Sequence, residues 1–193
     1  MDKLTRADLM SLEQYSENRP AFREKVLAHK APRKIAIGPN ASLYFEDRLT
    51  VQYQIQEMLR VERIFESSGI NEELEAYNPL IPDGSNWKAT FMLEFPNAEE
   101  RKIWLSKLIG VERQTWIQIQ GYEPVFAIAN EDLERETAEK TAAVHFLRFE
   151  LSPAMISALK GSAGLSMGIS HPAYTYTIQA SEASRASLLA DLD

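Results

Sequence analysis

Glu62 is the ionisable residue whose spacing most invites a chemical role. It falls four residues after Met58, three after Leu59 and three before Phe65, so at helical spacing it interrupts an apolar stripe. A carboxylate there has to meet a cation or take up a proton. An ion pair with a nearby arginine is the plainer outcome; holding a ligand or a metal ion is the sharper one. On the same segment Glu57 and Arg60 stand three apart and can pair, while Gln52, Gln56, Arg60 and Arg63 fall along one side. Facing water, that row is solvation. Facing a sheet, it makes a polar pocket whose arginines suit a carboxylate or a phosphate.

The second group lies in Lys140–Glu150. As a strand, this run puts His145 with Leu147, Phe149 and Leu151 on one face and Arg148 with Glu150, Val144 and Phe146 on the other. Both faces mix polar with apolar residues. His145 is expected as a core histidine held by a hydrogen bond, with ligand binding as the alternative. Arg148 and Glu150 are same-face neighbours and are expected to pair.

No metal or other cofactor is expected. The remaining histidines are His29, beside a basic turn, and His171, and none of the three has a second ligand at a recognised helical spacing. A metal site would need tertiary convergence, for which Glu62, His145 and His171 are the candidates, a histidine and carboxylate set suited to iron, zinc or manganese. The chain has no cysteine, which excludes disulfides, thiolate zinc sites, cysteine-ligated iron–sulfur clusters and cysteine nucleophiles. Gly161-Ser162-Ala163-Gly164 lacks the lysine and Ser/Thr of a phosphate loop, and neither a Gly-x-Ser-x-Gly elbow nor a dinucleotide fingerprint occurs.

With 193 residues and 45% apolar composition, the chain can build a substantial core unaided, and no linker-like stretch divides it; a single domain over residues 1–193 is expected. The net charge of −7 repels phosphate backbones on average, and Lys30-Ala31-Pro32-Arg33-Lys34 is too short to reverse this, so nucleic acid is not an expected partner. No apolar run suits a signal peptide or a membrane span, which points to a cytoplasmic protein. A symmetric homodimer is the default expectation for its oligomeric state.

The elements that must position these residues follow from caps and periodicity. Thr5 is expected to cap a first helix carrying Leu9, Leu12 and Tyr15, with a second starting at Asn18 and Pro20. Lys34–Ile37 and Ser42–Phe45 flank a tight reversal at Gly38-Pro39-Asn40. Asp47 caps the long central helix, expected from Arg48 to Ser68 and stopped by Gly69. Asn71 to Asn78 is a short acidic connection. Trp87–Phe95 alternates strictly and predicts a strand, and Asn97 with Glu100 predicts a capped helix ended by Gly110. Thr115–Gln120 and Val125–Ala129 form a hairpin, Asn130–Lys140 a polar surface loop, and Ala142–Leu151 a strand. A short helix from Ser152, a hairpin of Leu165–Ile169 with Tyr174–Ile178, and a small C-terminal helix follow. Elements in clusters rather than in βαβ alternation predict an α+β fold, a mostly antiparallel sheet packed with helices.

Several segments carry a family resemblance: Leu4-Thr5-Arg6-Ala7-Asp8-Leu9, Phe45-Glu46-Asp47-Arg48-Leu49-Thr50, Gln54-Ile55-Gln56-Glu57-Met58-Leu59-Arg60, Ala76-Tyr77-Asn78-Pro79-Leu80-Ile81-Pro82, and Lys140-Thr141 with Val144 to Phe149. Together they resemble the bacterial family called domain of unknown function 3501, nearly end to end, although Ala180–Asp193 carries none of the likeness. The resemblance implies no catalytic residues. It implies a supporting role in peroxide or redox metabolism beside rubrerythrin-like di-iron proteins or iron–sulfur oxidoreductases, by association rather than mechanism. Two functions follow: an accessory or interaction protein with a redox partner, or an enzyme or small-molecule binder. The second needs a pocket between the Gln54–Glu62 face and the His145–Glu150 strand.

Overall fold

The computed structural model describes residues 2–193, with Met1 outside the described residues. After a 3-10 turn at Arg6–Asp8, the chain runs through α1 (Leu12–Lys30), β1 (Lys34–Ala36), β2 (Ala41–Glu46), α2 (Arg48–Glu62), α3 (Ser67–Tyr77), β3 (Asn86–Leu93) and α4 (Ala98–Lys107). It continues through β4 (Thr115–Ile119), β5 (Val125–Phe126), β6 (Ile128–Ala129), β7 (Val144–Glu150), α5 (Pro153–Lys160), β8 (Leu165–His171), β9 (Tyr174–Gln179) and α6 (Glu182–Leu189).

The strands make two antiparallel sheets, ordered β1-β2-β3-β7-β6 and β5-β4-β8-β9. Leu43, Phe45, Ala89, Phe91, Leu147 and Phe149 of the first sheet share one core with Ile117, Ile119, Leu165, Met167 and Ile169 of the second. The alternation of Trp87–Phe95 thus marks a strand whose odd-numbered residues point between two sheets. Val125–Ala129 is not one hairpin arm. It leaves the second sheet after Phe126 and joins the first at Ile128, turning the corner of the sandwich at buried Ala127.

The other face of the five-stranded sheet is roofed by helices with a core of their own. Val51, Ile55 and Leu59 of α2 pack with Leu74 of α3, Leu4 and Ile81. Asp47 starts α2 as expected, accepting the Thr50 N–H while the Thr50 hydroxyl accepts the Asp47 N–H, each at 2.9 Å.

Three helix expectations are corrected. Thr5 caps only the 3-10 turn; α1 is capped by Ser11, which exchanges cap bonds with Gln14, and runs through Pro20 without a second start. Pro20 lies on the exposed face, where water can take the carbonyl its ring leaves unpaired. α2 ends at Glu62 rather than Ser68, because Arg63 turns into the left-handed region at φ 56° and closes the helix. Gly69 instead lies inside α3, which replaces the expected acidic connection.

Candidate functional site

Cross-strand register sets the floor of a cleft. On the helix-facing side of the five-stranded sheet, Glu46 on β2, Lys88 on β3 and Arg148 on β7 form one row, and Tyr44, Thr90 and Phe146 form the next. Above them lie Thr50, Val51 and Gln54 of α2, and Tyr77 and Leu80 from α3 and the turn after it. Between floor and roof are two adjoining hollows of about 480 and 410 Å³ that share Tyr77, Leu80 and Phe146. Volumes of this size, with mainly apolar walls and a few polar groups, are those of small-molecule sites.

The polar groups of the floor are unevenly partnered. Glu46 accepts the Thr90 hydroxyl at 2.8 Å and the Thr50 hydroxyl at 2.5 Å. Arg148 is gripped bidentately by Glu131, at 2.8 and 2.6 Å, and also bonds Glu150. Lys88 stands directly opposite Arg148, and like charges in that relation are unfavourable. Its ammonium donates to the Pro79 carbonyl at 2.5 Å, and no carboxylate among the described residues lies within ion-pair distance. Burial lowers the Lys88 pKa; Lys3 and Arg148 reinforce this, and the Asp83 and Glu131 carboxylates oppose it. A half-buried cation with no carboxylate in direct contact, beside a second cation already held by Glu131, is an arrangement that an incoming anion relieves.

The six sequence candidates do not converge on this cleft. Glu57 points toward α1, where it accepts from Arg19 at 2.7 and 2.9 Å, from the Tyr15 hydroxyl at 2.6 Å and from Arg60 at 3.2 Å, and its carboxyl is held down to about 2, chiefly by Arg19. Glu62 does not interrupt a buried stripe. The helix stops there, Phe65 is 73% exposed, and Glu62 itself faces solvent. Arg148 and Glu150 lie on the helix-facing side of β7, and Arg148 lines the cleft. His145 lies on the opposite, inner side and is fully buried, its Nε2 3.0 Å from the Ala142 carbonyl and its Nδ1 3.1 Å from Asn130 Oδ1. Burial pushes its pKa down to about 4. His171 is turned to the Ile109 carbonyl at 3.2 Å. No three histidine or acidic residues among those described are grouped as metal ligands.

Two groups escaped the sequence reading. Lys88 sits on the polar side of an alternating strand, which reads as solvent until the helical layer is known. Its signal was the apolar stripe of α2, which needs a surface to cover. Glu112 lies in a short polar run and is nonetheless fully buried; no local pattern marks it.

The architecture defines a two-sheet α+β protein with a cleft between one sheet and a three-helix layer, and no described helix is long and apolar enough to cross a membrane. The chain belongs to the family described as protein of unknown function DUF3501, whose model matches residues 3–192 and so takes in the C-terminal segment from Ala180. No curated protein matches it. A crystal structure of a novel protein of unknown function from Burkholderia pseudomallei is similar, with 48% identity, a TM-score of 0.94 and 100% of both chains covered.

Proposed function

We propose that the protein binds a small molecule with an apolar, ring-sized body and one acidic group in the cleft between the five-stranded sheet and the helical layer. The observation that carries this is Lys88, a half-buried cation with no carboxylate partner, on the floor of a cleft walled by Tyr77, Leu80 and Phe146. The acid would pair with Lys88, and the body would pack on the aromatic and aliphatic walls. Lysine is a compact point charge with three donors, so it accepts a carboxylate or a phosphate without demanding the forked geometry of arginine.

Calorimetric titration with 1-naphthoate and with its neutral counterpart 1-naphthalenemethanol tests this. The acid is expected to bind at one site and the alcohol at least about tenfold more weakly, a difference of about 1.4 kcal/mol. Lys88→Met should abolish the preference. Equal binding of acid and alcohol, or a preference that survives in Lys88→Met, contradicts the proposal.

An accessory role beside rubrerythrin-like or iron–sulfur redox proteins is supported by the family resemblance alone. A pull-down under peroxide stress tests it, and recovery of no redox partner counts against it.

A further inference from the structure

Four strands end the two sheets, and three of them are too short to template another chain. β1 spans three residues and carries Lys34, while β5 and β6 span two each. β9 is the exception. Its six residues, Tyr174-Thr175-Tyr176-Thr177-Ile178-Gln179, include no charge, proline or glycine, its register with β8 runs without a bulge, and every residue after Tyr174 is exposed. Lysines, prolines and bulges are the devices that ordinarily keep such an edge from pairing with another strand.

Register decides which backbone groups this edge offers. Ala180 donates to the Leu165 carbonyl at 2.8 Å, one step beyond the paired Gln179 and Ser166. Direction alternates residue by residue in an antiparallel ladder, so Tyr174, Tyr176 and Ile178 bond β8, while Thr175, Thr177 and Gln179 turn their N–H and C=O groups to the free edge. The side chains alternate as well. Tyr176 and Ile178 stand opposite buried Ile169 and Met167 and so face the core side of the sheet, yet they are 42% and 37% exposed. The Tyr176 ring is fixed in place: its centre lies 4.7 Å from that of Tyr174, and a Cβ on Gly38 would come within 2.7 Å of it. Tyr174 is itself tied down, donating to the Ile37 carbonyl at 2.8 Å.

We propose that β9 is the interface for a second copy of this chain, pairing antiparallel with its own counterpart about a two-fold axis at Thr177 and joining the two four-stranded sheets into one. In this register Thr177 meets the partner's Thr177 and Thr175 meets the partner's Gln179, all residues whose backbone groups point outward, and each pair exchanges two hydrogen bonds. Tyr176 falls opposite the partner's Ile178, an aromatic and β-branched pair that covers both exposed side chains and, by symmetry, forms twice. An axis at Thr175 or Gln179 would set Ile178 opposite Pro172 or Ala180 instead and lose that match. Charge selects the same occupant. A net charge of −7 sets two copies against each other over most of their surface, and an uncharged edge lets them meet without opposing like charges. A foreign strand would gain the same backbone bonds, but it would have to carry an apolar pair at these alternate positions, which this chain already does. The cleft lies on the far face of the other sheet and stays open in the dimer.

Sedimentation of the full chain from low to high micromolar concentration tests this. The wild type is expected to form a dimer and nothing larger, because pairing uses up the edge. Ile178→Lys, at a site already partly exposed, puts a cation where the apolar pair should close and should weaken association at least about tenfold. The absence of cysteine from the chain makes cross-linking a second readout. Thr177→Cys sets two thiols on paired residues whose Cα atoms are about 5.5 Å apart, within disulfide reach, so mild oxidation should give a covalent dimer. Thr175→Cys sets them about 13 Å apart along the strands and should remain uncross-linked under the same treatment. Should Ile178→Lys not fold, the two cysteine variants decide, since both positions are exposed. A wild type that stays monomeric throughout, an association that Ile178→Lys leaves unchanged, or cross-linking of Thr175→Cys as fast as that of Thr177→Cys overturns the interface. A monomeric chain that captures a foreign strand on β9 overturns the second copy as its occupant.

Discussion

Lys88 and Arg148 face each other across β3 and β7, two cations side by side on one sheet, and carboxylates grip only Arg148 among the two. A pairing that disfavours the fold persists where something else gains from it. Lys88→Met keeps the length of the side chain and removes the repulsion and the desolvated charge. It should stabilise the protein by about 0.5 kcal/mol while weakening 1-naphthoate at least tenfold. Thermal melting and calorimetry on the same preparation check both signs.

Glu57 holds α1 to α2 rather than lining the cleft. Glu57→Gln leaves Arg19 and Arg60 without their carboxylate, so the melting temperature should fall. Naphthoate affinity should stay at the wild-type value. A parallel loss of affinity would place Glu57 in the binding machinery after all.

His145 makes acid stability titrate. Its folded pKa of about 4 lies below the 6.5 of an unperturbed histidine, so between these values the unfolded chain binds the extra proton. Its contribution is complete above 6.5 and is lost as pH falls toward 4, amounting to about 3 kcal/mol across the window. Urea unfolding at several pH values should show that loss in the wild type and a reduced one in His145→Gln.

Arg33 is buried between Asp191, at 2.5 Å, and Asp47, at 3.4 Å, and also bonds the Phe45 and Glu46 carbonyls, tying α6 and the C-terminus to β2. Arg33→Met strands the buried Asp191 carboxylate and leaves Asp47 only His29 and the Thr50 N–H. A loss of about 3–5 kcal/mol is expected, measured by chemical denaturation.

Gly168 lies under the Trp116 ring, and a Cβ there would come within 2.3 Å of it. Gly168→Ala should cost about 1–3 kcal/mol through displacement of that indole, with a change in tryptophan fluorescence as the companion signal.

What could be read in advance was local. Asp47 and Asn97 cap helices because a short polar side chain reaches N–H groups two or three residues on. Trp87–Phe95 alternates because one of its faces meets a second sheet. The end of α2 was hidden because Arg63 adopts a left-handed conformation with no glycine to mark it. With that end misplaced, Glu62 looked buried. The strand bearing Arg148 and the helix opposite it do flank a cleft, but on Thr50, Val51 and Gln54 rather than on the Glu57 and Arg60 side. Lys88 owes its place beside Arg148 to strand register, and Glu112 lies 3.9 Å from His145, far along the chain. Neither relation exists in any window of sequence.

The most direct measurement of the binding claim is a crystal structure of the protein with 1-naphthoate. The carboxylate is expected within hydrogen-bond distance of Lys88 Nζ, with the rings between Tyr77, Leu80 and Phe146. Naphthoate bound elsewhere, or seated in the cleft with its carboxylate turned away from Lys88, would contradict it.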